Sequence, residues 1–150
     1  MAAEYLANEL QSIPLNTPIN FTASIPCTKG NVVFENGTGI FILRGNTNQC
    51  YATYEVVYNG NIAVTEGGTV TPIATGITVN GELRATSRSI TTPAAAENFN
   101  NVTSRAVIRV PRGCCFTVAV EYVSGITDGT TTPTAVIDQI NGSLSIKRTA

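Results

Sequence analysis

The chain has 150 residues, of which 13% are charged; its formal net charge is −1, and it contains neither histidine nor tryptophan. That balance gives no field to hold a polyanion, so no nucleic-acid partner is expected. The lack of histidine removes the commonest general base and the commonest metal ligand together. No catalytic residue, metal or cofactor is therefore expected. No apolar run approaches the roughly 20 residues that cross a bilayer as a helix. The opening MAAEYLANELQ has no basic leader or continuous apolar stretch, so neither membrane association nor a secretory signal is expected.

In chain order, residues 3 to 11 (AEYLANELQ) are the helix-compatible segment, with Tyr5, Leu6 and Leu10 on a weak apolar face. A helix this short is marginal by itself, so residues 1–16 read as an N-terminal arm that either frays or orders against a partner. Pro14 and Pro18 suggest an extended linker. From residue 17 to 150 the chain reads as strand after strand. Ile19 and Phe21 alternate with polar residues, and Asn31–Glu35 and Thr38–Leu43 flank Asn36-Gly37, a strong hairpin signal. Cys50–Asn59 places Cys50, Ala52, Tyr54, Val56 and Tyr58 on one face, and Val70–Val79 leads into a second hairpin turn at Asn80-Gly81.

The best-patterned stretch is Val102–Tyr122, two alternating runs around Pro111-Arg112-Gly113. A three-residue hairpin is expected there, with Val110 opposite Cys114, Ile108 opposite Phe116 and Ala106 opposite Val118. Cys114 would then face the core and Cys115 the outside. Ser124–Pro133 is a loop by composition. In the final strand, Ala135–Arg148, Val136, Ile140, Leu144 and Ile146 are expected inward, with Gly142 marking a bulge or close contact. About eight to ten strands with two-residue hairpins and longer crossovers give an all-β, antiparallel jelly-roll sandwich.

Cys27, Cys50, Cys114 and Cys115 allow three fully paired connectivities, or stand as buried or idle thiols. Their spacing does not suit zinc, and no C-x-x-C precedes a helix as in a redox enzyme. Cys50 and Cys114 are expected within one core. Asp138 is the one acid at an expected inward position, whereas a glycosidase needs two carboxylates in one cleft. Tyr51, Tyr54, Tyr58, Tyr122, Phe41 and Phe99 supply either core or interface surface, with Tyr54, Tyr58 and Tyr122 assigned to the core.

The segments GIFILRG, CYATYEVVYNGNIAV, ITVNGELRATS, SRAVIRVPRGCCFTVAVEY and INGSLSIKRTA occur in an order that resembles the TNF-like, complement-type jelly-roll heads of collagen-like exosporium glycoproteins. Over residues 4 to 150 the chain looks more closely like small proteins of gut Firmicutes phages and prophages, which share the EYLAN-LQ opening and PRGCC. The resemblance implies a homotrimer with an apolar three-fold seam. The sequence lacks a Gly-X-Y stem, which disfavours a stalked spore head and favours a protein seated directly on a particle.

The leading expectation is a non-enzymatic phage structural protein on the virion, made in the bacterial cytoplasm. It would be a trimeric capsid decoration or head-fibre protein, with Glu4, Tyr5, Leu6 and Leu10 anchoring it to the major capsid protein and adhesion to glycans or mucus as a further role. The alternatives are a receptor- or glycan-binding tail-fibre knob using Ile126, Thr127 and Asp128, or an exosporium head.

Overall fold

The computed structural model describes residues 2–25, 31–35, 37–126 and 130–149. Among these lie twelve strands: β1 (Ala2–Ala7), β2 (Gln11–Pro14), β3 (Ala23–Ile25), β4 (Val32–Glu35), β5 (Ile40–Arg44), β6 (Tyr51–Val64), β7 (Ile73–Val79), β8 (Glu82–Leu83), β9 (Ser89–Thr91), β10 (Asn100–Pro111), β11 (Cys115–Ser124) and β12 (Val136–Arg148). They form two six-stranded sheets whose strand pairs are all antiparallel. One runs β10-β6-β12-β1-β3, with β2 on the other half of β12; the second runs β4-β5-β11-β7-β8, with β9 on the other half of β7.

The inner faces follow from period-two alternation. Tyr54, Tyr58, Ile108, Leu144 and Ile146 come from the first sheet, and Phe41, Leu43, Ile73, Ile77, Val118, Val120 and Tyr122 from the second, all essentially inaccessible. Aromatic rings join the layers: Phe41 packs edge-on to Tyr5 at 4.5 Å and stacks on Phe34 at 4.7 Å between centroids. Phe21 bridges from Phe41 to Tyr58. The expected core tyrosines, Tyr54, Tyr58 and Tyr122, are all in place.

Three expectations are corrected. Residues 3 to 11 form no helix. Ala3, Tyr5 and Ala7 alternate inward, and β1 is hydrogen-bonded to β12 on one side and β3 on the other. Residues 2–14 are therefore part of the sheet, not an arm attached to it. The second correction concerns β10 and β11, which are not a hairpin pair: β10 pairs along its whole length with β6, and β11 pairs with β5 and β7. The Pro111–Gly113 turn crosses from one sheet to the other. Two strands in opposite sheets of one sandwich show the same inward apolar pattern as two neighbours in one sheet, so alternation could not tell these apart.

The third correction lies in β12. Its register slips between Ile140 and Ser143, with Asn141 at φ +53°. The bulge reverses parity, so Ile137 and Gln139 point inward while Val136, Asp138 and Ile140 are only partly covered. Asp138 instead accepts a hydrogen bond from Ser12 Oγ at 3.2 Å. The hairpin at Asn80-Gly81 forms as expected, with both residues at positive φ and Val79 opposite Glu82.

Gln139 belongs to a buried polar cluster beneath the bulge. Gln11 and Asn20 exchange two hydrogen bonds: the Asn20 N–H donates to Gln11 Oε1 (3.1 Å) and Gln11 Nε2 to the Asn20 carbonyl (2.6 Å). Tyr58 Oη and Gln139 Nε2 complete no hydrogen bond of ordinary geometry, although they lie side by side over Gly60 and Gly142. Burial holds the Tyr58 phenol far above its usual range. A buried hydroxyl without a full partner costs more than it contributes. Tyr58→Phe should therefore match or exceed the parent chain in stability, by up to about 1 kcal/mol, when urea midpoints are compared. A clear loss would show that the hydroxyl is bonded in solution.

Candidate interaction surfaces

The anchoring residues expected near the N-terminus do not share one face. Tyr5 lies in the core against Phe34 and Phe41, whereas Glu4 is exposed, Leu6 is half-buried and Leu10, in the β1–β2 turn, is 58% exposed. Tyr5 is thus unavailable to a partner, because the strand alternation that exposes its neighbours buries it.

The outer face of the first sheet carries Val57, Asn59, Thr103, Ser143 and Ser145 near its middle, residues small enough or neutral enough for close approach of another surface. Asn101 Nδ2 donates to Asn59 Oδ1 at 2.8 Å, and Arg105 pairs with Glu55 at 2.9 Å. Exposed pairs of this kind add little stability. Large exposed apolar side chains are spread along and beside β10: Val107 (43%) on it, Tyr51 (46%) on β6 opposite its far end at Pro111, Phe99 (40%) just before its start, and Ile90 (47%) on β9. Strand β10 is the edge of its sheet, partly capped where Arg84 Nη1 donates to the Val107 carbonyl at 2.6 Å.

On the outer side of the second sheet a groove of about 420 Å³ is lined by residues including Asn16, Thr78, Arg88, Glu121 and Ser124. The chain entering from β2 forms one wall, since the Asn16 N–H bonds the Tyr122 carbonyl and Pro18 bridges to Glu121. Arg88 is held by the Ser124 carbonyl at 3.2 Å. Burial raises the Glu121 carboxyl above its ordinary range. The folded state therefore binds this proton more readily than the unfolded chain, and stability falls as pH rises between the two values. Glu121→Gln should stabilise the protein at pH 7 and make no difference below about pH 4, near the unfolded carboxyl value. Thermal melts at both pH values test this; an equal effect at both would remove the carboxylate as the cause. Sequence patterning did not single out this groove, although Glu121 is the lone acid in the apolar run FTVAVEYV.

The expected ligand loop is tethered at both ends of its described part. Ile126 N–H donates to Ser124 Oγ (3.1 Å), the Tyr122 hydroxyl donates to the Thr134 carbonyl, and the Thr71 and Thr134 hydroxyls bond at 2.6 Å. Thr127 and Asp128 lie outside the described residues, as does Cys27. Cys50, Cys114 and Cys115 are free and exposed. Cys50 and Cys114 were expected in the core. Each instead sits one residue before its strand begins, beyond the overlap of the two sheets. Among the described residues, no three side chains of the metal-binding types converge.

No protein-family model matches the chain, and no curated protein is significantly similar to it. Solved structures do match. The globular domain of zebrafish complement 1qA protein superposes with a TM-score of 0.60 at 13% identity, over 97% of this chain and 94% of that one. The Eiger TNF of S. frugiperda gives 0.65 at 13% identity, over 100% and 92%. Murine APRIL gives 0.52 at 8% identity, over 98% and 99%. The fold is a TNF/C1q-like jelly roll. At these identities the likeness establishes architecture, so this jelly roll's partners must be argued from its own surface.

Proposed function

We propose that this jelly roll is a non-enzymatic homotrimeric head displayed on a phage particle, as a capsid decoration or head-fibre protein. The observation that carries self-association is the edge strand β10, whose exposed Val107 has the exposed Tyr51 of β6 further along the same outer face. An exposed edge with apolar neighbours is a surface that proteins ordinarily cover. The resemblance to TNF-like and complement-type heads supports three copies as the closed form. Attachment to a major capsid protein falls, in this proposal, to the β1–β2 turn with its exposed Leu10.

Light scattering on purified protein tests the assembly. Three times the 15.8 kDa chain mass is expected, and Val107→Arg should shift it towards the monomer. A monomeric parent chain would overturn the trimer. Co-sedimentation with capsids, lost in Leu10→Glu, tests the particle role; binding unchanged by Leu10→Glu would relocate the attachment, and no binding would reject it.

A second reading, a receptor- or glycan-binding knob, is favoured by the groove between Arg88 and Glu121, whose guanidinium, carboxylate and hydroxyl groups suit sugar hydroxyls. Glycan-array binding lost in Arg88→Ala would support it, and a blank array would reject it.

A further inference from the structure

Three exposed, free cysteines lie at one end of the sandwich, apart from the groove at Glu121. The β5–β6 loop and the β10–β11 turn build this end together. Gly45 N–H donates to the Cys114 carbonyl at 2.8 Å, Gly113 N–H donates to the Gly45 carbonyl at 3.0 Å, and Arg112 N–H donates to the Cys50 carbonyl at 2.9 Å. Between loop and turn lies a cavity of about 250 Å³ lined by Arg44, Gly45, Asn46, Gly113, Cys114 and Cys115. Among the described residues no carboxylate lines it. Cys115 and Arg44 are directly opposite each other on β11 and β5. Opposed residues in an antiparallel pair project from the same face, with Cβ atoms about 5 Å apart. Arg44 and Cys115 thus project from the same face and line the same cavity, a cation and an accessible thiol on facing strands, and among the described residues Arg44 forms no ion pair.

We propose that Cys115 is a site of thiol–disulfide exchange selective for anionic low-molecular-weight disulfides, of which glutathione disulfide is the type, with Arg44 holding the reagent's carboxylate. The Cys115 thiol gives its proton to solvent and its Sγ attacks one sulfur of the reagent. The new bond joins Cys115 Sγ to that sulfur, and the reagent's own S–S bond breaks. The departing sulfur leaves as a thiolate and takes a proton from water. Cys115 is oxidised, the departing half is reduced, and the reagent is itself the oxidant. Arg44 contributes through charge and reach: a guanidinium accepts a carboxylate in a two-pronged hydrogen bond. Cys50, exposed but not lining the cavity, is the internal comparison.

The test exposes the folded chain briefly to glutathione disulfide, to cationic cystamine or to neutral hydroxyethyl disulfide, then quenches with acid and maps adducts by mass spectrometry. Cys115 should exchange faster with glutathione disulfide than with cystamine. Arg44→Gln should slow the anionic reaction at Cys115 by at least about threefold, the size of one unit-charge attraction across about 6 Å of water. The neutral reagent at Cys115, and every reagent at Cys50, should be unaffected. The Arg44 side chain is exposed and its carbonyl, which accepts the Tyr54 hydroxyl, is untouched by the substitution. High salt applied to the parent chain repeats the test without any substitution, since it screens an exposed charge. Equal rates for anionic and cationic reagents, an Arg44→Gln variant that reacts like its parent, or an adduct on Cys114 in place of Cys115 would each overturn the proposal.

Discussion

A chain lacking residues 2–12 should fail to fold, and Tyr5→Ala alone should lower the unfolding free energy by about 4 kcal/mol, in the range for deleting a buried aromatic ring. Strand β1 is interior to its sheet, with six residues registered on β12 and three on β3. Removing it strips hydrogen-bond partners from half of β12 and separates β3 from the sheet. It also withdraws Tyr5 from the stacked pair Phe34 and Phe41, where close aromatic geometry adds to the area buried. Tyr5→Phe keeps the ring and should cost less than about 1 kcal/mol. Far-ultraviolet circular dichroism on the deletion, with urea titrations of the two point variants, checks all three. A deletion that keeps the parent's spectrum and midpoint would restore the free-arm picture of the N-terminus.

Gly45→Ala is expected to lower stability by about 3 kcal/mol, from overpacking and from weakening two backbone hydrogen bonds. A Cβ at this position would stand 2.0 Å from the Pro111 carbonyl oxygen and 3.2 Å from that of Cys114. Both obstacles are backbone, so the β10–β11 turn itself must move. The informative contrast is Gly113→Ala, in the β10–β11 turn that Gly45 packs against. Gly113 has φ +78° but open space around a Cβ, so the substitution pays only the left-handed backbone cost of about 1–2 kcal/mol. Denaturation midpoints should therefore rank parent, then Gly113→Ala, then Gly45→Ala. The reverse order would mean that conformational freedom, and not the tight approach, is what this end needs. Gly45→Ala should also disturb reactions at Cys115, because the moving turn forms one wall of its cavity.

The all-β class and most strand positions were legible because one buried face per strand imposes period-two alternation on the residues themselves. Tyr54, Tyr58 and Tyr122 were placed inward on that basis. What alternation does not encode is which strand lies beside which, and so β10 and β11 looked like a hairpin although they belong to opposite sheets. Ala3, Tyr5 and Ala7 carried a strand signal weakened by alanine, a good helix former, and only the partner strand β12, far away in sequence, decides the matter. The bulge expected at Gly142 is present, but its one inserted residue reversed the faces of Val136 through Ile140, which the glycine alone did not indicate. Cys50 and Cys114 had inward parity but lie past the ends of the sheets, where parity no longer implies burial. The candidate sites were least legible, since the groove at Glu121 and the cavity at Cys115 each join segments distant in the chain.

Strand β12 accepts β1 and β2 along one side and β6 along the other. Ala2 thus pairs with Lys147, near the opposite end of the sequence. During synthesis, the edges of β1, β2 and β6 that β12 will occupy stay unpaired until β12 itself emerges from the ribosome. The first sheet is therefore assembled late and mostly from distant pairings, a topology that folds slowly. In the interval the apolar faces of β1 and β6 are open to other nascent chains, so the yield of folded protein should depend on synthesis rate and temperature more steeply than its final stability does.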